Sequence, residues 1–365
     1  MLPQEALGRL AERFRRFSVE AGAQSPLYER LSLVAADDEV ALAILALARD
    51  ERQRRPNLLF AAVHDLLLAG LDHPLAAHYP TVHGTTGLDT TDAERHFKSL
   101  LREHREQLEQ RVESKATQTN EVGRCTALWP AIQTISVGRA RGLALIELGA
   151  SAGLLLHLDR YAYRYRGVPS GNPSSQVKLS PQVVGEAPPL PGLGVPIVRR
   201  IGIDLTPCDP ADERDSRWLK ACVWPEDVKR LDRLTAALGI ARQHRDVEMR
   251  QGDFMRLLPD VLDNCGIDVL PVVMHSAALA YLDASARDRL AAAVADVAQH
   301  RNLVVVSFEG PFTEPYISLD RAQTERPAGE QFLLGLATFD DGKRSDRLLA
   351  RAHPHGAWLQ WLHSA

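Results

Sequence analysis

The stretch that decides the fold is Leu143-Ala-Leu-Ile-Glu-Leu-Gly-Ala-Ser-Ala-Gly-Leu-Leu-Leu156. An apolar segment with the length of a buried strand leads into a turn of very small residues, and the apolar residues of a helix follow. Gly149 can adopt backbone angles that other residues avoid, and Gly153 allows close packing of the helix on a strand. The sequence therefore predicts a strand, a glycine turn and a helix. Glu147 lies at the strand end, and the first amides of the helix would be available to an anionic group.

Further apolar segments of strand length follow this stretch, at residues 197–203, 268–274 and 302–308. Patterns typical of helices separate them. Strands that alternate with helices need crossover connections, so the pattern predicts a parallel sheet.

Two other segments add to this sheet or interrupt it. Residues 331–339 and 347–352 flank the turn residues Asp341-Gly342 and predict an antiparallel hairpin, with a last apolar segment at residues 357–362. Residues 167–196 contain 12 Gly or Pro among 30 positions. Such a density of helix breakers predicts a long loop or a ribbon-like insertion.

The first part of the chain has a different pattern, because no segment before residue 143 resembles a strand. Apolar residues recur at helical spacing instead. Residues 57–71 are apolar nearly all round and predict a buried helix, in which His64 is interpreted as a hydrogen-bonded core histidine. We therefore predict a helical N-terminal domain, residues 1–140, followed by an α/β domain, residues 141–365.

Composition narrows the class of protein. Of 365 residues, 45% are apolar, and 43 basic against 47 acidic side chains leave a net charge of −4. These values exclude general disorder and argue against bulk nucleic-acid binding. The four cysteines form no CxxC pair, and the longest stretch without Asp, Glu, Lys or Arg has 16 residues, too short to span a bilayer. The N-terminus has no secretory pattern, so we predict a cytoplasmic protein with reduced thiols and no membrane partner.

Acidic side chains end three successive predicted strands. Glu147 and Asp204 end two of the strands given above, and Asp253, with Phe254 beside it, is interpreted as the end of a further strand that lies between them and residue 268. The carboxyl ends of parallel strands meet at one edge of the sheet, where such folds bind ligands. A carboxylate there suits an amine, a ribose diol or an exocyclic amine of a base.

The serine of the glycine turn permits a second interpretation. Gly149-x-Ser151-x-Gly153 matches the nucleophile elbow of α/β-hydrolases, and His353 or His355 follows in the chain order that such a triad needs. Two features argue against it. A hydrolase needs several strands before its nucleophile, and none is found before the strand that leads into the turn; no oxyanion-hole loop is visible either. A dinucleotide-binding fingerprint is weaker, because Ser151 stands where a glycine is required.

Two polar segments have both a functional and a structural interpretation. Residues 118–124 are either a linker or a flap over a ligand. His353 and His355 are interpreted as a turn that leads into the last strand, and no metal site is predicted.

The order of Glu147-x-Gly149-x-x-x-Gly153, Gly202-Ile-Asp204-Leu-x-Pro207 and Gly252-Asp253 resembles the class I S-adenosylmethionine-dependent methyltransferases. Over almost its full length the chain also resembles a bacterial family of unknown function. The phrases that carry this second resemblance are Ser25-Pro-Leu-Tyr28, Glu147-Leu-Gly-Ala-Ser-Ala-Gly-Leu154, Asp159-Arg-Tyr161, Trp218-Leu-x-Ala-Cys-x-Trp-Pro225 and His353-Pro-His-Gly-x-Trp358.

The methyltransferase resemblance implies a Rossmann-like fold for residues 141–365 and S-adenosylmethionine as cofactor. The sequence leaves the methyl acceptor open between a small molecule, a protein and a modified nucleic acid, and we expect a small molecule. It places Glu147 and the glycine turn around the methionine part, Asp204 on the ribose hydroxyls and Asp253 near the adenine. The cofactor-binding residues that it implies are Glu147, Gly149, Ser151, Gly153, Asp204, Asp253, Phe254 and His275. A cofactor-binding protein without turnover is the non-enzymatic alternative on the same fold.

Methyl transfer requires a positioned acceptor and, for a protonated nucleophile, a base. His275 lies just beyond a strand end, where such a base is needed, and Tyr281 follows about one helical turn later. Glu309 ends another strand. We predict these three as catalytic candidates, with a hydrogen-bonded structural histidine as the alternative for His275.

Overall fold

The structure is a computed structural model that describes residues 4–83, 90–136, 138, 140–311, 313 and 331–362. The chain divides into two compact units. The first runs up to Thr119 and includes Ala211–Thr235, and the second comprises Asn120–Pro210 and the chain from Ala236 onward. The second unit therefore begins about twenty residues before the predicted boundary at residue 140. The first unit also includes a segment from later in the chain, Ala211–Thr235.

The described part of the first unit is helical. Its helices are α1 (Gln4–Ala21), α2 (Pro26–Ala36), α3 (Glu39–Ala46), α4 (Pro56–Leu68), α5 (Pro80–His83), α6 (Thr90–Glu103), α7 (Arg105–Ser114) and α9 (Glu213–Ala221). The core contains Tyr28 stacked on Phe60, with ring centroids 4.5 Å apart. His64 is buried on α4, where its ring nitrogens lie 3.1 Å from the Ala221 carbonyl and 2.8 Å from the Thr81 hydroxyl. Burial lowers the pKa of His64 to about 4, so it is a neutral core residue, as predicted.

The second unit contains the strands. They are β1 (Gly142–Leu148), β2 (Ala162–Tyr165), β3 (Val168–Gly171), β4 (Lys178–Leu179), β5 (Gln182–Val184), β6 (Ile197–Asp204), β7 (Val247–Gln251), β8 (Val269–Ser276), β9 (Leu303–Glu309), β10 (Phe332–Asp340), β11 (Lys343–Ala352) and β12 (Trp358–Trp361). Its helices are α8 (Cys125–Gln133), α11 (Phe254–Asp263) and α12 (Ala284–Ala298), and α10 (Val228–Gln243) crosses the division between the units.

The large sheet has nine strands in the order β5-β12-β11-β10-β9-β8-β1-β6-β7. Strands β7, β6, β1, β8 and β9 are parallel, whereas β10 and β11 form the predicted antiparallel hairpin. Asp341 and Gly342 have φ values of 47° and 73°, as a tight hairpin turn requires. The fold is thus of the α/β class, with a mostly parallel core.

The strand order reverses between β1 and β8. From β1 the chain adds β6 and β7 on one side, then returns to place β8 and β9 on the other. In open α/β sheets, ligands bind outside the carboxyl ends of the strands at such a switch point. Glu147, the glycine turn and His275 all lie at this edge.

Register determines which side chains share a face of the sheet. Glu147 pairs with Gly202 and Met274, whereas the next residue, Leu148, pairs with His275. Neighbouring residues on a strand point to opposite faces, and paired residues of parallel strands point to the same one. Leu148 belongs to the core formed with α11 and α12. Glu147 and His275 therefore lie on opposite faces.

The segment after the glycine turn is not the predicted regular helix. Leu154–Arg160 is a short 3-10 run that breaks at His157. The carbonyl groups that would accept the helical hydrogen bonds are taken by side chains from elsewhere. They are the carbonyls of Leu154, Leu156 and Leu158, which accept from Tyr161, Arg200 and Tyr163.

Residues 167–196 also differ from a single loop or ribbon. Strands β3 and β4 flank β2 in a separate three-stranded sheet, and β5 joins the edge of the large sheet beside β12. Within the described ranges, no helix combines the length and apolar character needed to cross a membrane.

Candidate functional site

Glu147 is the central residue of the carboxyl edge. It is 4% exposed, and its Oε2 atom has no hydrogen-bond partner among the described residues. Burial raises the pKa of Glu147 well above its ordinary value. The neighbouring Asp204 carboxylate adds to this rise and the Arg124 guanidinium opposes it. A buried carboxyl oxygen without a hydrogen-bond partner is costly in a folded protein, so this group is a candidate for binding a ligand.

The glycine turn has left-handed backbone angles, which the sequence predicts at Gly149. Gly149, Ser151 and Gly153 have φ values of 72°, 52° and 67°. A side chain at Gly153 would lie 3.1 Å from a Val247 methyl, so this glycine permits close packing on β7. The close approach predicted from the sequence is confirmed at this position.

The five amides of the turn, from Gly149 to Gly153, all donate hydrogen bonds inside the protein. Two of them donate to a strand carbonyl, one to the turn itself and two to side chains. The bonds run from Gly149 and Ala150 to the Ile203 carbonyl, from Gly153 to the Ala150 carbonyl, from Ser151 to Asp204 Oδ2 and from Ala152 to Asn120 Oδ1. These five amides are therefore occupied, whereas the prediction concerned the first amides of the segment that follows the turn.

Asp204 organises the neighbouring strand end. Its Oδ2 atom accepts from the Ser151 amide and its Oδ1 atom accepts from the Thr206 amide, each at 2.8 Å. The side chain is half-buried. Each carboxylate oxygen has a further lone pair, so the group can still accept hydrogen bonds from two ligand hydroxyls.

The Asp253 segment lies next to Asp204. The Gly252 amide donates to the Asp204 carbonyl at 2.9 Å. Asp253 itself is exposed and caps α11 by accepting from the Met255 amide. Phe254 packs against the apolar core of the second unit.

A segment outside the predicted site residues completes this face. Asn120 donates to Ser151 Oγ at 2.6 Å, and Glu121 is buried and caps the Gly123 amide. Arg124 is buried and donates to the carbonyl of Ser276 at 3.0 Å. In the sequence, the signal for this segment was the polar run at residues 118–124. Its position beside Glu147 depends on tertiary contacts, which the sequence does not show.

Because Gly123 has no side chain, this segment can pack closely against the backbone of His355. A methyl group on Gly123 would lie 2.3 Å from the His355 carbonyl oxygen. Arg124 also donates to the Pro354 carbonyl at 3.1 Å. The His355 amide in turn donates to His353 Nδ1 at 3.0 Å, in a turn that leads into β12, as interpreted from the sequence. No group of three potential metal ligands comes together in the part of the chain that the structure describes.

His275 and Glu309 form a buried pair on the other face of the sheet. His275 Nδ1 lies 3.0 Å from Glu309 Oε1. The same oxygen accepts from the amides of Ala278 and Leu279 at 3.0 and 3.2 Å. The pair therefore joins the ends of β8 and β9 to the loop that follows β8. Tyr281, at the end of that loop, is 51% exposed.

Ser276 rather than His275 shares the face of Glu147. It lies two residues beyond Met274, the register partner of Glu147. Its Oγ atom is buried with no hydrogen-bond partner among the described residues. The structure thus gathers Glu147, the turn and Asp204, adds Asn120–Arg124 and Ser276, and leaves the three predicted catalytic residues off this face or exposed.

The fold and this edge define the protein as an α/β protein with a buried, acidic polar site at the switch point of its sheet. Residues 11–361 match the family model described as "Uncharacterized protein conserved in bacteria (DUF2332)", and the chain belongs to this family. The resemblance to a bacterial family of unknown function is thereby confirmed. No curated protein matches the chain.

Proposed function

We propose that the protein is an S-adenosylmethionine-dependent methyltransferase with a small-molecule acceptor. The observation that carries the proposal is the buried carboxyl of Glu147, whose Oε2 atom has no hydrogen-bond partner among the described residues and which lies beside Asp204. The two acids end adjacent strands at the point where ligands bind in open α/β sheets.

The residues present fit the cofactor. Glu147 provides an acceptor for the primary ammonium of the methionine part, which would pair its unsatisfied oxygen. Asp204 provides two oxygens for the ribose hydroxyls. The tight approach at Gly153 keeps the turn close to the sheet.

The strand order supports a Rossmann-like core. The parallel strands β7-β6-β1-β8-β9 have the sequential order 3-2-1-4-5 of the doubly wound fold. In a methyltransferase the bound cofactor supplies an activated methyl group. The chain's own contribution would be to bind and orient the two substrates and to exclude water.

The cofactor site is tested by thermal unfolding. S-adenosylmethionine at one hundred times its Kd is expected to stabilise the native state by about 2.7 kcal/mol, a rise in Tm on the order of several degrees. Asp204→Ala is expected to weaken binding at least tenfold while the protein still folds, because it removes both ribose acceptors. Asp288→Ala, at an exposed position of α12, is the matched control and is expected to bind like the wild type. An unchanged Tm at millimolar ligand would refute the proposal.

A serine hydrolase is the second candidate, favoured by the left-handed φ of Ser151 between a strand and a short helical turn. Against it, β1 is the first strand in the described part of the chain, whereas the α/β-hydrolase fold places several strands before its nucleophile. We expect a fluorophosphonate probe to leave Ser151 unlabelled under conditions that label an active serine hydrolase. Labelling that disappears in Ser151→Ala would favour the hydrolase and contradict the methyltransferase proposal.

A further inference from the structure

We propose that His73 controls an acid-sensitive switch in the first unit, and that its protonation releases the short 3-10 turn Pro74–His78 from α6. This goes beyond the proposed function, because it concerns the helical unit and requires no ligand. Three observations support it. They are the hydrogen bond that His73 accepts, the imidazole rings around it and the contacts of the segment that follows the turn.

The His73 side chain caps the turn. Its Nδ1 atom accepts a hydrogen bond from the Leu75 amide at 3.1 Å, and Leu75 is completely buried. A ring nitrogen that accepts a hydrogen bond carries no proton, so the neutral ring has its proton on Nε2. The second proton of an imidazolium would have to bind at Nδ1, where it would face the amide hydrogen. Protonation of His73 and the cap are therefore mutually exclusive.

The groups around His73 disfavour the charged ring. Its side chain is 5% exposed. The ring centroids of His96, on α6, and His104, just before α7, lie 6.4 and 6.2 Å from that of His73. The ring of His78 lies 5.6 Å from that of His96. Burial lowers the pKa of His73; the Glu103 carboxylate opposes this, and the charges of His104 and His96 add to it.

The carboxylate near this cluster is a weak counter-charge. Glu103 Oε2 lies 3.8 Å from His73 Nε2, but the Glu103 side chain is 58% exposed and therefore screened by water. The Arg95 guanidinium, 3.3 Å from His96 Nε2, adds a further positive charge on α6. On α5, which also packs on the turn, His83 is exposed. Acid therefore brings positive charges together around His73 faster than negative charge can compensate them.

The turn leads into a segment that holds a later part of the chain. Tyr79 follows it and is completely buried. The Thr81 amide donates to the Pro225 carbonyl at 3.2 Å, within the first unit. Release of the turn would therefore loosen the attachment of the later segment, Ala211–Thr235. A local change of charge at His73 is in this way connected to a contact distant in the sequence.

The direction of the pH dependence follows from the pKa of His73. A histidine in an unfolded chain has a pKa of about 6.5, and that of His73 in the closed turn is lower. Between these two values the open form binds more protons than the closed one. The closed turn is therefore most stable above about pH 6.5, and it loses stability as the pH falls from there through the lowered pKa of His73.

Hydrogen exchange of the full chain, followed by mass spectrometry at pH 7.5 and pH 5.5, tests the switch. After correction for intrinsic exchange rates, the protection of the amides from Leu75 to Thr81 is expected to fall about tenfold at pH 5.5, because the cap is lost. In His73→Asn the side-chain oxygen can accept from the Leu75 amide but does not titrate, so protection is expected to stay constant. His244→Asn, at an exposed position, is the control and is expected to behave like the wild type.

Wild-type protection that is equal at the two pH values would overturn the proposal, whether or not His73→Asn folds. An equal fall in His73→Asn and in the wild type would also overturn it, because another group would then be titrating. His73→Gln is the second variant. Its oxygen is one bond farther from the backbone than Nδ1, so low protection is expected at both pH values. Wild-type protection of this variant at pH 7.5 would contradict the role assigned to Nδ1.

Discussion

Replacing Glu309 by alanine is expected to lower the free energy of unfolding by about 3–5 kcal/mol, because one buried carboxylate oxygen serves three donors. Glu309 Oε1 lies within 3.2 Å of His275 Nδ1 and of the amides of Ala278 and Leu279. Removing it leaves the histidine and two amides without this acceptor in a region where both side chains are completely buried. Urea unfolding followed by tryptophan fluorescence measures the loss.

Two further variants test the cause. Glu309→Gln retains a carbonyl oxygen for the two amides and is expected to lose less than half as much stability. Asp288→Ala on exposed α12 is expected to change stability by less than about 0.5 kcal/mol. A loss below about 1 kcal/mol in Glu309→Ala would show that the pair does not hold the β8 loop.

The hydrogen bonds between Glu309 and the loop after β8 also connect the stability of the protein to the candidate site. A side chain on Gly149 would lie 3.1 Å from the Ala278 Cβ atom, so the loop that Glu309 holds lies directly against the glycine turn. Glu309 therefore holds the loop that packs on the turn, and its predicted catalytic role stays a prediction. Ser307 of β9 pairs with His275 of β8, and Glu309 lies two residues beyond Ser307. Glu309 is therefore on the face of His275 and not on the face of Glu147.

A feature of the fold or of the candidate site could be predicted where it depends on residues that are close together in the sequence. Glu147 and Asp204 were placed correctly at neighbouring strand ends because apolar runs of strand length and their polar ends are local signals. The opposite orientation of Glu147 and His275 depends on register between strands more than a hundred residues apart. A shift of one residue reverses the face, and no local pattern determines it.

The failure of the predicted helix has the same physical origin. The apolar run after Gly153 favours a helix locally, but Arg200, from a strand more than forty residues later, takes one of its carbonyls. Likewise, the Asn120 side chain accepts a hydrogen bond from the Ala152 amide of the turn and donates one to the Ser151 hydroxyl oxygen. Competition of this kind is decided by tertiary packing, so helical periodicity in the sequence does not reveal it.

The affinity for S-adenosylmethionine is expected to fall tenfold for each unit of pH below the pKa of Glu147. The ligand ammonium pairs well only with the ionised carboxylate. Because burial raises the pKa of Glu147 well above its ordinary value, protonation begins to compete with the ligand well above the pH at which an exposed glutamate would titrate. Lowering the pH through this raised pKa neutralises the carboxyl and weakens binding. Raising it restores the charge until affinity becomes constant.

Calorimetric titrations between pH 5 and pH 8.5 measure this dependence, and Glu147→Gln provides the matched control. The variant is expected to bind weakly at every pH, with no dependence in the range where the wild type changes. It is also expected to raise the Tm of the ligand-free protein at the upper end of the range. A glutamate whose pKa is raised on folding is most stabilising below its unfolded pKa, and this contribution is lost as the pH rises through its folded pKa. A wild-type affinity that stays constant down to pH 5 would show that Glu147 is not the group that binds the ligand cation.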